Sequence, residues 1–489
     1  MLIGGVFSRR ISKNVAGLPL WLWAIYFVVS VGAIFFYTSF WPEAPVIHPD
    51  SRGYMEVAQD LLDFRLDKEH LRPIGYPLLL MLTHSAYNPT RFLFIVQLML
   101  YILSVGLLLT VVGKIRSLSK VTILAFMMLL FLPPFVAPAS YVLTEHLSGF
   151  TLVLGTVGLL QWLETRRWFW LLLSLFGFIY AMLTHSIYAF LPPIVAVVLL
   201  AIRYAFPWVH LRWRETVLSS IALIGAWFLV SRIPLSDYLL GTMSSGALKT
   251  SLVTSLGASF SSKTLKVLER LPDEYAVVRE ILIEERNYDL IHGESHTAAS
   301  YMNRAAKKVS EVTGLKGKEL WEYIAKLNWI LIRKAPLHFL QEVLATMTMF
   351  WIPAAAETAL KGRAVLKALW SSIYLVVFII LWLQILVLGG ATVLLKRGRF
   401  IALRRIPSFT EVKLRTLGYV ISWSIISYVW FVSCVIGMGT VRYRQPVETL
   451  MVFACFLGFV MMREMTSLIR TETHKVREMR LGSERKEFH

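Results

Sequence analysis

An all-α, polytopic membrane fold is what this chain predicts, and three observations carry the prediction. Hydrophobic residues make up 56% of its 489 positions, above the roughly 45–50% usual for soluble domains, and the mean hydropathy is +0.60. About ten runs are long and apolar enough to cross a hydrocarbon core as helices. The connections between those runs alternate between basic ones and ones without Lys or Arg. Helices are required because an isolated strand in lipid leaves its backbone groups unpaired, and no even series of short alternating strands is present.

In chain order, the spans fall near residues 19–41, 91–113, 121–137, 141–163, 168–184, 187–206, 216–233, 368–395, 415–438 and 446–463. Arg9, Arg10 and Lys13 precede the first run with no small-residue cleavage site, which reads as a retained span instead of a removed signal. Most of the +19 net charge lies in that N-terminal segment and in the connections at 114–120, 166–167, 203–214, 396–415 and the tail after Arg463. The short connections opposite, Pro133 to Ser140 and around His185, carry no Lys or Arg. The positive-inside rule therefore puts both termini in the cytoplasm of a multi-pass protein of the cytoplasmic (inner) membrane, with the 42–90 loop outside. Because the basic residues are spread through these connections and not clustered with aromatics, they read as topology and not as a nucleic-acid surface.

The organisation expected is an N-terminal membrane module over 1–233, an extracytoplasmic helical segment over 234–367, C-terminal membrane helices over 368–463 and a basic tail over 464–489. Within 234–367 the stretch to Lys334 is nearly neutral and rich in helix formers around 263–286, 298–312 and 318–333. The run 338–354 is apolar, but counting it as a span would place the basic 396–415 segment outside, so an interfacial or re-entrant helix is expected there. Cys434 and Cys455 both fall inside spans, so no disulfide framework is implied.

The first polar loop, His48 to Pro77, is the most informative stretch. From Ser51 the apolar residues Tyr54, Val57, Ala58, Leu61 and Leu62 recur at helical spacing, which describes an amphipathic helix on a membrane surface. The element Arg72-Pro73-Ile74-Gly75-Tyr76-Pro77 then breaks the chain before an apolar segment too short to span.

Several candidate residues carry two readings each. Asp50 or Ser51 caps the surface helix, or Asp50 has a second, chemical role. Arg72 meets lipid headgroups, or its planar fork of donors binds phosphate. Glu145 and His146 near one end of the fourth span, and His185 closing the fifth, are costly in lipid unless they face a cavity. Arg442, Tyr443 and Arg444 sit in a tight loop before the last span, where two arginines fit either headgroups or an anionic ligand. His292 and His296 have a possible metal spacing without a further ligand. A phosphate-cradling glycine loop, a zincin helix and a nucleophile elbow are all missing.

These features, in this order, resemble the GT-C superfamily of polytopic glycosyltransferases that use lipid-linked sugars, particularly the bacterial relatives of protein O-mannosyltransferases and aminoarabinose transferases. The residues that carry the resemblance are Asp50 soon after the first span, the helix from Ser51 to Arg65, the Arg72 to Pro77 element, Glu145, the Lys334-Ala335-Pro336 entry to an amphipathic helix, and Arg442 to Pro446. The paired acidic residues of the family are reduced here to Asp50 alone, and 234–333 matches no family element.

The resemblance implies sugar transfer, with inversion, from a polyprenyl-phosphate carrier to a glycan, lipid or protein acceptor outside the cytoplasmic membrane. Asp50 would be the general base, and Arg72, Arg442 and Arg444 the phosphate ligands. His48, Tyr54, Tyr76, Glu145, His146, His185 and Tyr443 would be further cavity residues. No soluble cofactor is implied, and a divalent metal is left open. Two other classes answer to the same composition: a lipid or glycan transporter, which needs polar groups near the bilayer midplane, and a ligase or polymerase that uses a diphosphate-linked glycan, for which His185 or His292 would matter more than Asp50.

Overall fold

The computed structural model describes residues 14–15, 18–40, 44–47, 51–65, 72–115, 118–205, 211–232, 268–269, 271–292, 298–351, 409–435 and 444–463, with scattered positions from 372 to 387. Apart from a two-residue ribbon pairing Asn14–Val15 with Leu18–Pro19, its regular structure is helical. Seven helices are long and apolar enough to cross a membrane, or eight if a bent pair counts as one span. The expected span at 368–395 lies almost wholly outside the described residues.

Helix α1 (Leu20–Phe40) leads to α2 (Ser51–Leu62), α3 (Gly75–Leu82) and α4 (Arg91–Val112). Thr90 caps α4, its side chain accepting a hydrogen bond from the Leu93 N–H. Next come α5 (Lys120–Leu130) and α6 (Pro133–Val136), the latter continued by a 3-10 turn over Ala137–Ser140. The sequence reading made 133–140 a plain connection; instead it is the second limb of a helix pair bent by 54°. The bend follows from Pro133 and Pro134, which cannot continue α5 but suit the first turn of a new helix.

The central helix is α7 (Glu145–Thr165), almost every residue of which is buried. It packs along α8 (Trp168–Thr184), and the approach depends on small residues: a Cβ on Gly177 would stand 2.5 Å from the Gly155 nitrogen and 2.7 Å from the Thr151 carbonyl oxygen. In lipid, where apolar side chains gain little by leaving the solvent, such backbone proximity is a main source of helix association. Ser174 of α8 reinforces it by donating to the Gly155 carbonyl at 2.9 Å.

After a 3-10 turn at Ser186–Tyr188 the bundle continues with α9 (Leu191–Ala205) and α10 (Trp213–Arg232). Helices α11 (Ala276–His292), α12 (Ala298–Thr313) and α13 (Gly317–Lys334) share a separate core that includes Leu282, Val309, Ile324 and Leu331. The chain then enters α14 (Pro336–Met349), whose 14 residues are too few to span and whose Leu337, Leu340 and Leu344 are exposed. Two long apolar helices close the described bundle, α15 (Phe409–Val435) and α16 (Arg444–Arg463).

Polar contacts sort the span ends into two groups. At one end, Lys114 meets Glu164, and Arg166 meets Glu215 at 3.1 Å. At the other, Gln97 of α4 bonds the 139–141 turn, Tyr428 of α15 bonds Ile187, and Arg444 of α16 bonds Phe350 beyond α14. The latter end also receives α2 and α3, and it is where the candidate residues gather.

One expectation about that region changes. The apolar face of α2 does not lie on lipid: Tyr54, Met55 and Ala58 are buried in a cluster with Tyr76 and Leu80 of α3, Leu93 of α4 and Leu147 of α7. A short amphipathic helix has the same pattern whichever apolar partner it meets, and here the partner is protein.

Candidate functional site at one end of the bundle

The site is built outward from the first residue of α2. Ser51 is fully buried and donates to the Val142 carbonyl at 2.7 Å, tying α2 to the segment just before α7. One turn on, the Tyr54 ring meets the Tyr76 ring edge to face, with centroids 5.4 Å apart. The Arg72 guanidinium carbon lies 5.0 Å from the Tyr54 centroid, a cation–π arrangement. Arg72 itself is half-buried, whereas both tyrosines are fully buried.

Polar atoms beneath this stack are tied to one another. The Tyr76 hydroxyl donates to Gln97 Oε1 at 3.1 Å, and Gln97 Nε2 donates to the carbonyls of Ala139 and Tyr141, each at 3.0 Å. On the other side of α3, Tyr180 donates to the Gly75 carbonyl at 3.0 Å. Position 75 must be glycine, because a Cβ would stand 2.6 Å from the Leu183 carbonyl oxygen. Non-helical backbone survives at a membrane surface when protein groups satisfy it, and these bonds supply that here.

Glu145 and His146 begin α7, and both are buried. A carboxylate in the first turn of a helix is favoured by the partial positive charge of its N-terminus. Both line a narrow pocket with Tyr101, Gln445, Glu448 and Thr449. His146 Nε2 pairs with the Val136 carbonyl at 3.2 Å, and its ring lies 5.0 Å from that of Tyr101, so this histidine is tied to the bent α5–α6 limb. His185 caps the turn after α8: its Nδ1 accepts from the Ile187 N–H at 3.2 Å, which places the proton of a neutral ring on Nε2. Tyr188, in that turn, is in electrostatic range of Glu145, Tyr428 and Tyr54.

Arg444 differs from its sequence reading. It is the first residue of α16 and fully buried, not a loop residue open to headgroups. Its Nε donates to Glu448 Oε1 at 3.0 Å, one turn along, and its Nη1 donates to the Phe350 carbonyl at 2.8 Å. The bond to Phe350 ties the end of α14 to the start of α16, and the one to Glu448 holds the guanidinium in place along α16.

Tyr54, Arg72, Tyr76, Glu145, His146, His185 and Arg444 thus share one end of the bundle. His48, Asp50, Arg442 and Tyr443 lie outside the described residues, as does His296. Among the described residues, no three His, Cys, Asp or Glu side chains come together as a metal-ligand group. Sequence reasoning missed Gln97, Tyr180, Tyr188 and Glu448. Two of these carried a signal: Gln97 is a lone amide in an apolar span, and Glu448 stands at helical spacing from Arg444.

No family model matches the chain, and no curated protein matches it. Among solved structures it is similar to ArnT from Cupriavidus metallidurans bound to undecaprenyl phosphate, with 13% identity over 86% of this chain and 77% of that one. The TM-score is 0.33, a superposition too loose to carry an argument.

Proposed function

We propose that the protein is a membrane glycosyltransferase that moves a sugar from a polyprenyl-phosphate carrier to a glycan, lipid or protein acceptor on the extracytoplasmic face, with both termini in the cytoplasm. One observation carries the reading: the stretches 51–65 and 72–90 fold into a single end of the bundle, where they hold a half-buried guanidinium, Arg72, over Tyr54 beside the buried start of α7. The charge distribution of the sequence supports placing that end outside.

The chemistry follows from the leaving group. As the bond between the anomeric carbon and the phosphate oxygen breaks, negative charge grows on the phosphate, and a fixed guanidinium stabilises it. Arg72 takes this role, with Arg442 as a second ligand. Arg444, already engaged by Glu448 and Phe350, acts by positioning α16. The acceptor hydroxyl attacks the anomeric carbon from the opposite face, and its proton passes to the Asp50 carboxylate, inverting the centre. Asp50 precedes Ser51, whose hydroxyl is bound to the segment leading into Glu145.

The test is purified Asp50→Asn assayed for sugar transfer from its lipid carrier. Asparagine caps a helix as well as aspartate but takes no proton, so transfer should fall by about 100- to 10,000-fold. Folding and carrier binding should persist. Near wild-type transfer would end the assignment and move the base to Glu145.

A further inference from the structure

The end of the bundle away from the candidate site brings two basic turns together. One joins α7 to α8 and carries Arg166 and Arg167; the other leads into α10 and carries Arg212 and Arg214. Glu215 links them, its Oε1 lying 3.1 Å from Arg166 Nε and 4.0 Å from Arg212 Nη1. A second link runs beneath. The Trp168 ring lies 5.1 Å from that of Trp162, whose Nε1 donates to Ser219 Oγ of α10 at 2.9 Å. From α9, Arg203 donates to the Leu211 carbonyl and its guanidinium carbon lies 5.6 Å from the Trp213 ring centroid. Both turns are thus fixed by neighbouring helices, while their arginines stay exposed.

Arg166 also holds a backbone that arginine does not favour. Its φ of 59° and ψ of 21° are left-handed, the conformation in which helix ends usually place glycine or asparagine. That choice costs stability, and what it supplies is a guanidinium against Glu215, beside the second turn.

The charges at this junction do not cancel. Four arginines stand against Glu215, and the nearby Glu164 is already engaged by Lys114. Among the described residues, Arg167 and Arg214 meet no carboxylate. Trp168 and Trp213 are exposed beside them, and tryptophan rings favour the level of lipid headgroups. Exposed apolar rows then run away from the arginines: Phe169, Leu172 and Phe176 on α8, and Leu218, Ile221 and Phe228 on α10, which packs against α8. A phospholipid presents phosphate, glycerol and acyl chain in that same order. A zwitterionic headgroup would also bring an ammonium, for which both carboxylates here are already taken. An acidic headgroup brings no such need.

We propose that the junction of the 165–167 and 211–215 turns is a binding site for an acidic phospholipid. Arg167 and Arg214 hold its phosphate, Glu215 positions Arg166 and Arg212 beside it, and its acyl chains lie along α8 and α10. The site is separate from the one assigned to sugar transfer, which occupies the other end of the bundle.

Native mass spectrometry of the delipidated full-length protein, titrated with phosphatidylglycerol or phosphatidylcholine, tests this. Phosphatidylglycerol should be retained under conditions that strip phosphatidylcholine. Arg167→Gln/Arg214→Gln leaves the Arg166–Glu215 contact intact and should weaken phosphatidylglycerol binding about 25-fold, at about fivefold for each basic residue near an anionic lipid. Arg167→Lys/Arg214→Lys keeps the charge and should recover most of that loss. Lys307→Gln/Lys316→Gln removes the same charge from exposed positions of the three-helix unit and should change nothing. Equal affinity for the two lipids would overturn the inference, as would an Arg167→Gln/Arg214→Gln protein that binds like the lysine control. Binding lost only on Arg72→Ala would move the lipid to the other end and overturn it equally.

Discussion

Two sets of ion pairs in this molecule use the same side chains in different surroundings. In the three-helix unit, Glu285 of α11 meets Arg304 and Lys308 of α12 at 2.8 Å each. Both cations there are about a third exposed, at 32% and 39%. In the bundle, Arg444 and Glu448 pair at 3.0 Å with both side chains buried, at 0% and 4%. Glu285 itself is only 7% exposed, but water reaches and screens the two cations of the first set. The second has no such screening, so its geometry must be complete and the loss of one partner strands the other. Distance alone therefore does not rank the contacts; the surroundings do.

The buried pair gives the largest effect. Arg444→Met alone should cost about 3–5 kcal/mol, seen as a fall in the melting temperature of the purified protein. Adding Glu448→Leu should recover much of it, because no charge is then left without a partner. If the single variant melts like the wild type, neither the pair nor the Arg444–Phe350 bond carries the expected stability.

A neutral buried contact sharpens the comparison at the next level down. Tyr76→Phe keeps the ring against Tyr54 but leaves Gln97 Oε1 without its donor. The expected cost is about 1–3 kcal/mol, measured in the same melts. A silent Tyr76→Phe would mean that Gln97 draws a donor from elsewhere.

The partly exposed cluster gives the smallest effect, and its signature is pH. Burial pushes the Glu285 carboxyl up, but hydrogen bonds from Lys308 and Arg304 and their charges outweigh it and hold the group below its ordinary value. A depressed folded-state value stabilises the fold above the unfolded value, about 4.3, and the contribution is lost as pH falls through the folded value. The Tm gap between wild type and Glu285→Gln should therefore be small at pH 7 and close below about pH 4. Lys308 is shifted up by the hydrogen bonds it donates to Glu285 and Glu284, so its part persists until pH rises past the folded lysine value. A gap that widens in acid would reverse the sign assigned to Glu285.

From sequence alone came whatever depends on the solvent each residue prefers. Runs such as 91–113 and 446–463 had to be helices in lipid, because only a helix satisfies its own backbone there. The helix from Ser51 and the short run at 338–354 were legible in the sequence, whereas the bend at Pro133 and Pro134 was read there as a plain connection. Tertiary structure decided which apolar surface each face meets. The pattern of α2 does not distinguish lipid from Leu80 and Leu147, and the position of Arg444 does not tell whether its guanidinium faces an anion or Glu448. The partnership of Tyr76 with Gln97, or of Tyr180 with Gly75, joins residues 21 and 105 positions apart, and no local period records it. Periodicity encodes polarity along one helix, whereas a site is a relation between helices, settled when small residues such as Gly75, Gly155 and Gly177 let their backbones touch.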